Sequence, residues 1–205
     1  MTRRSLIVAP LLSVALAATL GLGSVHTSAG GGSITGTVDV TGVSTPAGSV
    51  IYIDQISGAY APQAARMDQQ KMEFVPHVLP IVIGTTVTFQ NSDPVSHVVY
   101  SPDFEKLVYP PQPPGETRQH AFEKCAKFPC GYTVLCPTHP EMEAFIVVLQ
   151  NPFYAVSDKT GRYAIANVPE GSYRIGVWHP SLKGRTEPVT VTSGEPVTVD
   201  FKLTK

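Results

Sequence analysis

The segment Cys136-Pro137-Thr138-His139-Pro140-Glu141-Met142 places a thiol, an imidazole and a thioether at every third position. It follows a run with strand character, Tyr132 to Cys136, and precedes another, Phe145 to Leu149. A strand end closing into a tight loop can turn all three side chains toward one point. The remaining donor must come from elsewhere in the fold, and His97 is the natural candidate. It follows Gly84 to Asp93, a strand pattern ending in a polar turn, with the spacing Asn-x-Asp-x-x-x-His. Two imidazoles and one thiolate make a trigonal set, and a methionine supplies a weak axial contact, the combination copper uses to exchange one electron. Soft sulfur favours Cu(I), while the imidazoles also suit Cu(II). Zinc is a poorer match, because structural zinc sites use four Cys or His ligands. The expected ligands of a single ion are therefore His97, Cys136, His139 and Met142. A two-copper centre would need a second cysteine close by, and Cys130 sits six residues upstream.

The other thiols and imidazoles admit plainer readings. Cys125 and Cys130 flank Ala126 to Pro129 and could close a small disulfide in an oxidising compartment, leaving Cys136 free for metal. A redox-sensing pair or extra copper ligands are the alternatives. His77, His120 and His179 read as ordinary surface or hydrogen-bonded residues. No His-x-His pair occurs, so a multicopper oxidase has no visible ligands here. Cys136 as a nucleophile would leave the methionine and the strand context without a role. An enzyme is not expected.

Short strands must position these donors. Ile34, Gly36, Val38 and Val40 alternate with Thr35, Thr37 and Asp39, and Val50 to Ile53 follows a turn around Pro46-Ala47-Gly48. Ala61 to Gln70 is polar, with no strong strand signal, and suits a short helix or a linker. Strand signals resume at Met72 to Val75, Val82, Thr86 to Phe89, His97 to Tyr100, Thr117 to Phe122, and the two runs around the ligand loop. Closely spaced short strands bounded by Gly, Pro, Asn and Asp predict an all-β chain built as an antiparallel sandwich or barrel. Ser101 to Glu116 holds five prolines and reads as a long loop, usually a functional or mobile one. Past Asp158-Lys159-Thr160-Gly161 come further strands at Tyr163 to Ile165, Tyr173 to Trp178, Pro188 to Val191 and Val197 to Leu203.

The chain's beginning bears on where the protein works. Arg3 and Arg4 precede an almost wholly apolar run, Leu6 to Gly23, and then small residues at Thr27-Ser28-Ala29. That order reads as a secretory signal over residues 1–29, which predicts a periplasmic or extracellular protein with no membrane span unless the signal stays uncleaved. Thr2-Arg3-Arg4 also hints at the twin-arginine route. Removing Arg3 and Arg4 from 15 basic residues leaves 13 against 16 acidic ones. No basic cluster appears, so nucleic acid is not an expected partner.

The residues around the ligand loop resemble the cupredoxins, most closely the amicyanin and plastocyanin branch. The resemblance spans about residues 70–150 and rests on Gly84-x-x-Val-x-Phe-x-Asn91, His97, Gly131-Tyr132 and Cys-x-x-His-x-x-Met. It implies a Greek-key sandwich binding one copper, with His139 near the surface inside an apolar rim of Pro137, Pro140 and prolines of the 110–114 segment. Many relatives carry Asn directly after the first histidine. Here that position is Val98, so hydrogen bonding to the thiolate must rely on backbone N–H groups. The tail resembles the carboxypeptidase regulatory-like family of small transthyretin-like sandwiches, through Asp158 to Gly161 and Asn167-Val168-Pro169-Glu170-Gly171-Ser172-Tyr173. Such sandwiches normally begin with Ile-x-Gly-x-Val and a second apolar strand, and both stand instead at Ile34 to Val38 and Ser49 to Ile53. The expected layout is a second small sandwich from residues 33–60 and 151–205, with a cupredoxin domain at 61–150 between; two tandem domains beside a stray hairpin are the alternative. The function implied is a soluble one-electron carrier serving a redox protein such as a c-type cytochrome or a dehydrogenase. A copper-handling protein, or a structural or adhesion module with a secondary copper site, are the other readings.

Overall fold

The structure is a computed structural model and describes residues 31–103 and 107–205; the expected signal over 1–29 lies outside them. In chain order the strands are β1 (Gly32–Thr41), β2 (Val50–Ile53), β3 (Ala65–Gln70), β4 (Glu73–Val75), β5 (Val78–Val82), β6 (Thr86–Asn91), β7 (Thr117–Ala121), β8 (Cys130–Leu135), β9 (Glu143–Leu149), β10 (Tyr154–Val156), β11 (Arg162–Val168), β12 (Gly171–Trp178), β13 (Arg185–Val191), β14 (Pro196–Thr198) and β15 (Phe201–Thr204). Among the described residues there is no helix, and so none long and apolar enough to cross a membrane. The fold class is the expected one, all-β with two sandwiches.

Four sheets stack in succession. One runs β4-β3-β6-β7, the next β5-β9-β8, the third β10-β2-β12-β13, and the last joins β11, β14 and β15 to β1. Between the first two lies a core that includes Met67, Phe74, Val87, Phe89, Val134, Ala144, Ile146 and Val148. Between the last two lies another, with Ile34, Val38, Ile51, Ile53, Ile165, Ile175, Val177 and Phe201. The middle pair is joined by Val50, Tyr52, Val78, Val147 and Leu149, with Phe145, Tyr154 and Trp178 packed against them. Strand alternation makes this possible, because successive side chains leave opposite faces. In β9, residues 144, 146 and 148 enter one core while 147 and 149 enter the next; in β2, residues 51 and 53 face one way and 50 and 52 the other. Strands buried on both sides read as unbroken apolar runs, which is how Val50 to Ile53 and Phe145 to Leu149 look in sequence.

The N-terminal strands belong to the same sheets as the tail. β1 pairs antiparallel with β11, Ile34 opposite Ile165, and parallel with β14 and β15. β2 sits between β10 and β12.

Three expectations need correction. Ala65 to Gln70 is a strand between β4 and β6, although it lacks the usual β-branched residues. Tertiary contacts hold it instead: the buried Gln69 amide donates to Gln90 O and to Gln112 Oε1, and Ser92 Oγ donates to Asp68 Oδ2. The sheets are mixed, since β3–β6 and β5–β9 run parallel. Short turns predict antiparallel neighbours, whereas here the paired strands are separated in sequence and reached by crossing between sheets. His97 to Tyr100 is not a strand; it makes isolated bridges, His97 to Gln112 and Tyr100 to Val108 and Leu135.

Candidate metal centre

The loop after β8 is closed by its own backbone. Cys136 N–H donates to Met142 O at 3.2 Å, His139 N–H to Cys136 O at 3.1 Å, and Met142 N–H to His139 O at 2.9 Å. Two tight turns in seven residues leave Cys136 and Met142 side by side at the ends of β8 and β9. Both are almost fully buried, at 1% exposure each.

His97 arrives from the other sheet, beyond β6. Its backbone exchanges hydrogen bonds with Gln112, at 3.2 and 2.7 Å. Asn91 Nδ2 spans the same loop, donating to Val95 O and Gln112 O at 2.8 Å each. The adjoining segment is tied to the cysteine side, because Tyr100 and Leu135 exchange backbone bonds. The His97 ring is fully buried, and its Nε2 lies 2.9 Å from Asp93 Oδ2. A carboxylate there accepts the Nε2 proton, so the Nδ1 lone pair is left to face Cys136 and His139. Asp93 is itself pinned, accepting the backbone N–H groups of Lys71 and of Met72, the latter at 2.9 Å. Burial pushes its carboxyl up, but those two N–H donors and His97 outweigh it and hold the group below the usual carboxylate range.

The three donor atoms converge. His97 Nδ1 lies 2.9 Å from His139 Nδ1 and 4.0 Å from Cys136 Sγ, and the latter two are 3.5 Å apart. All lie within 4.8 Å of one another, a grouping suited to a metal ion. A point about 2 Å from each atom falls inside that triangle, the bond length of a first-row ion to imidazole or close to that of thiolate. Two imidazoles and a thiolate converging on one point are the donor chemistry that fits copper. Val98 N–H points at the sulfur from 3.4 Å, as the absence of the usual Asn led us to expect. Thr138 Oγ1 adds a contact from 3.1 Å that the residue spacing did not suggest.

The structure therefore brings His97, Cys136 and His139 together, with Met142 buried at the loop's end. It pairs Cys125 with Cys130 in a disulfide, Cα atoms 5.8 Å apart, and leaves Cys136 as the free cysteine among the described residues. His77 bonds Glu143 O and stands edge-on to Phe145, His120 meets Tyr109, and His179 Nε2 lies near Thr45 O. Asp93, Asn91, Gln112 and Thr138 went unassigned in the sequence. The Asn-x-Asp-x-x-x-His spacing was the available signal for the first of them, since it sets a carboxylate four residues before the ligand. At the surface, His139 is half-buried beside exposed Pro137 and Pro140. A shallow apolar depression lined by Tyr100, Leu135, Cys136, Pro137 and Pro140 adjoins it.

The family model of the carboxypeptidase regulatory-like domain matches residues 137–204, beginning inside the ligand loop. No curated protein matches the chain. Among solved structures, a purple cupredoxin from Nitrosopumilus maritimus is similar at 27% identity over 41% of this chain and 98% of its own, TM-score 0.37. A copper-containing nitrite reductase from Thermus scotoductus SA-01 is 26% identical over 49% of this chain, with TM-score 0.39; the match spans about a quarter, 26%, of that enzyme. A reduced amicyanin variant is 25% identical over 42% of this chain and 81% of its own, TM-score 0.37. These likenesses cover part of the chain at low TM-scores, and the metal centre stands on its own distances.

Proposed function

We propose that the protein is an exported carrier of single electrons that holds one copper ion between His97, Cys136, His139 and Met142. The observation that carries this reading is the triangle of Nδ1, Nδ1 and Sγ atoms, with the His97 tautomer set by Asp93. Copper bound there supplies the one-electron couple Cu(I)/Cu(II). The chain supplies the rest. Buried His97 and Cys136 exclude water on one side. Asp93 and the short loop hold the donors in a single arrangement, which suits both oxidation states and keeps rearrangement small. With four donors saturating the ion, no position is open for a substrate, which favours electron transfer over catalysis.

Half-buried His139 is the exit for the electron. Beside it Pro137 and Pro140 are exposed; the prolines at 110, 111, 113 and 114, which flank Gln112, the backbone partner of His97, are exposed too, as are Val95 and Val108 at 43% and 58%. A modest apolar surface of this kind suits brief docking with a redox protein. We read the division of the chain as a copper sandwich at 61–150 inserted into a second sandwich from 33–60 and 151–205, a layout supported by the pairing of β1 and β2 with tail strands.

The test is to load the purified protein with Cu(II) and record visible and electron-paramagnetic spectra. An intense thiolate-to-copper band is expected, lost in Cys136→Ala and kept with an altered potential in Met142→Ala. Retention of the band in the cysteine variant rules out the ligand assignment. Fast transfer of Cu(I) to a chelating partner with poor redox cycling would favour a copper-handling role instead.

A further inference from the structure

Thr138 lies inside the ligand loop, and its side chain meets two of the donor residues. Its hydroxyl oxygen is 3.1 Å from Cys136 Sγ and 3.4 Å from His139 Nδ1. In the metal-free protein the hydroxyl can donate to or accept from either neighbour. Metal binding removes that freedom. A coordinated cysteine is a thiolate with no proton to give, and a coordinated Nδ1 has no free lone pair. Within the centre, the Thr138 proton then has the sulfur as its one acceptor.

We propose that Thr138 is a positioning residue that donates a second hydrogen bond to the Cys136 thiolate, beside the one from Val98 N–H, and so raises the reduction potential. This rests on the one-copper reading above. Each donor draws electron density from the sulfur, leaving less for the ion. The higher oxidation state depends more on that density, so it is weakened more, and the reduced state gains in comparison. Hydrogen bonding around a cysteine ligand is one of the levers that sets such potentials. The two donors differ in kind. Val98 donates through its backbone and is insensitive to its side chain, whereas Thr138 donates through a hydroxyl that one substitution removes. The β-branch restricts χ1 and keeps that hydroxyl on the sulfur side, although the residue as a whole is exposed.

The experiment compares the copper-loaded wild-type protein with Thr138→Val, which keeps the shape and loses the hydroxyl, and with Thr138→Ser, which keeps the hydroxyl. Equilibration against a one-electron dye gives the potential, and the visible spectrum gives the thiolate-to-copper band. In T138V the exchange constant is expected to move about tenfold toward Cu(II), about 59 mV for one electron, with the band displaced to lower energy. T138S should return both to the wild-type side. Chelator competition for Cu(I) and Cu(II) separately distinguishes a structural effect, which weakens both states alike and leaves the potential where it was. That pattern, or a T138V protein with wild-type potential and band, overturns the proposal. If T138V does not hold copper, T138A against T138S makes the same comparison. A wild-type protein without the band would instead defeat the copper reading itself, before any variant is compared.

Discussion

Asp93 accepts from His97 Nε2 on one side and from the Lys71 and Met72 backbone on the other. It is not one of the grouped donors, yet it decides which imidazole nitrogen faces the sulfur. Asp93→Ala frees the ring to rotate or to take the other tautomer, and leaves two backbone N–H groups without their acceptor. Removing such an outer partner typically costs about 10–100-fold in metal affinity, and a loss of that size is expected by chelator competition. Undiminished affinity in the D93A protein would show that the loop alone orients His97. Cys136→Ala belongs to the same scale and acts differently, since it deletes the donor and with it the charge-transfer band.

Among the elements, the turn joining β3 to β4 is held from outside. Lys71 and Met72 both adopt left-handed backbone, φ 57° and 62°, in a hairpin position that ordinarily calls for Asn-Gly. Nothing in Lys-Met announces this turn; the Asp93 carboxylate, accepting both N–H groups, stabilises it. Met72→Gly should therefore raise the denaturation midpoint, by an amount corresponding to up to about 1 kcal/mol, because the left-handed conformation is costly for non-glycine residues. An unchanged or lower midpoint would mean that the carboxylate compensates fully. The turn between β10 and β11 is stabilised by Asp158, which accepts from Thr160 Oγ1 and N, both at 2.7 Å, and from Arg162 N. The Thr160 hydroxyl and then the Arg162 N–H hold its carboxyl below the ordinary range. A depressed carboxyl lends stability that is fully present above its unfolded pKa of about 3.9 and is lost as pH falls through the lower folded value. Asp158→Asn should thus be less stable than wild type at neutral pH and flatter in its acid limb. Denaturant midpoints measured from pH 7 to pH 2 check this.

At the scale of the whole molecule, the two sandwiches share a buried apolar seam. Val50, Val147 and Leu149 are at most 1% exposed there, and Trp178 lies against Phe145 with ring centroids 5.7 Å apart. A Cβ on Gly131 would meet the Trp178 ring at 2.8 Å, so this glycine lets β8 and β12 approach. Burial of this kind predicts that both sandwiches unfold in one transition, with the copper band and the far-ultraviolet signal lost together. Leu149→Ala should cost about 2–5 kcal/mol, the usual range for a buried leucine. Gly131→Val should push the layers apart and separate the two signals in a thermal scan. Coincident transitions in G131V would mean that cooperativity runs through the chain crossings at 53–65 and 149–154 and not through the seam.

What residue types and spacing determined by themselves was the grouping of His97, Cys136 and His139, which the structure brings together, and the all-β class. Ligand chemistry is carried by side-chain identity, and Cys-x-x-His-x-x-Met with a distant histidine narrows the metal without any coordinates. Alternation and turn residues likewise announce strands locally, which is why most of them were legible and polar β3, held by Gln69 and its partners, was not. Only the tertiary structure decided which strands pair, that His97, outside any strand, meets the loop, and that Asp93 fixes its ring. It also decided that β2 and β9 bury both faces, so that one sandwich rests upon the other. The physical reason is range: period and propensity act over a few residues, whereas parallel pairing, a carboxylate holding a distant turn, and a seam between layers join positions far apart in the chain.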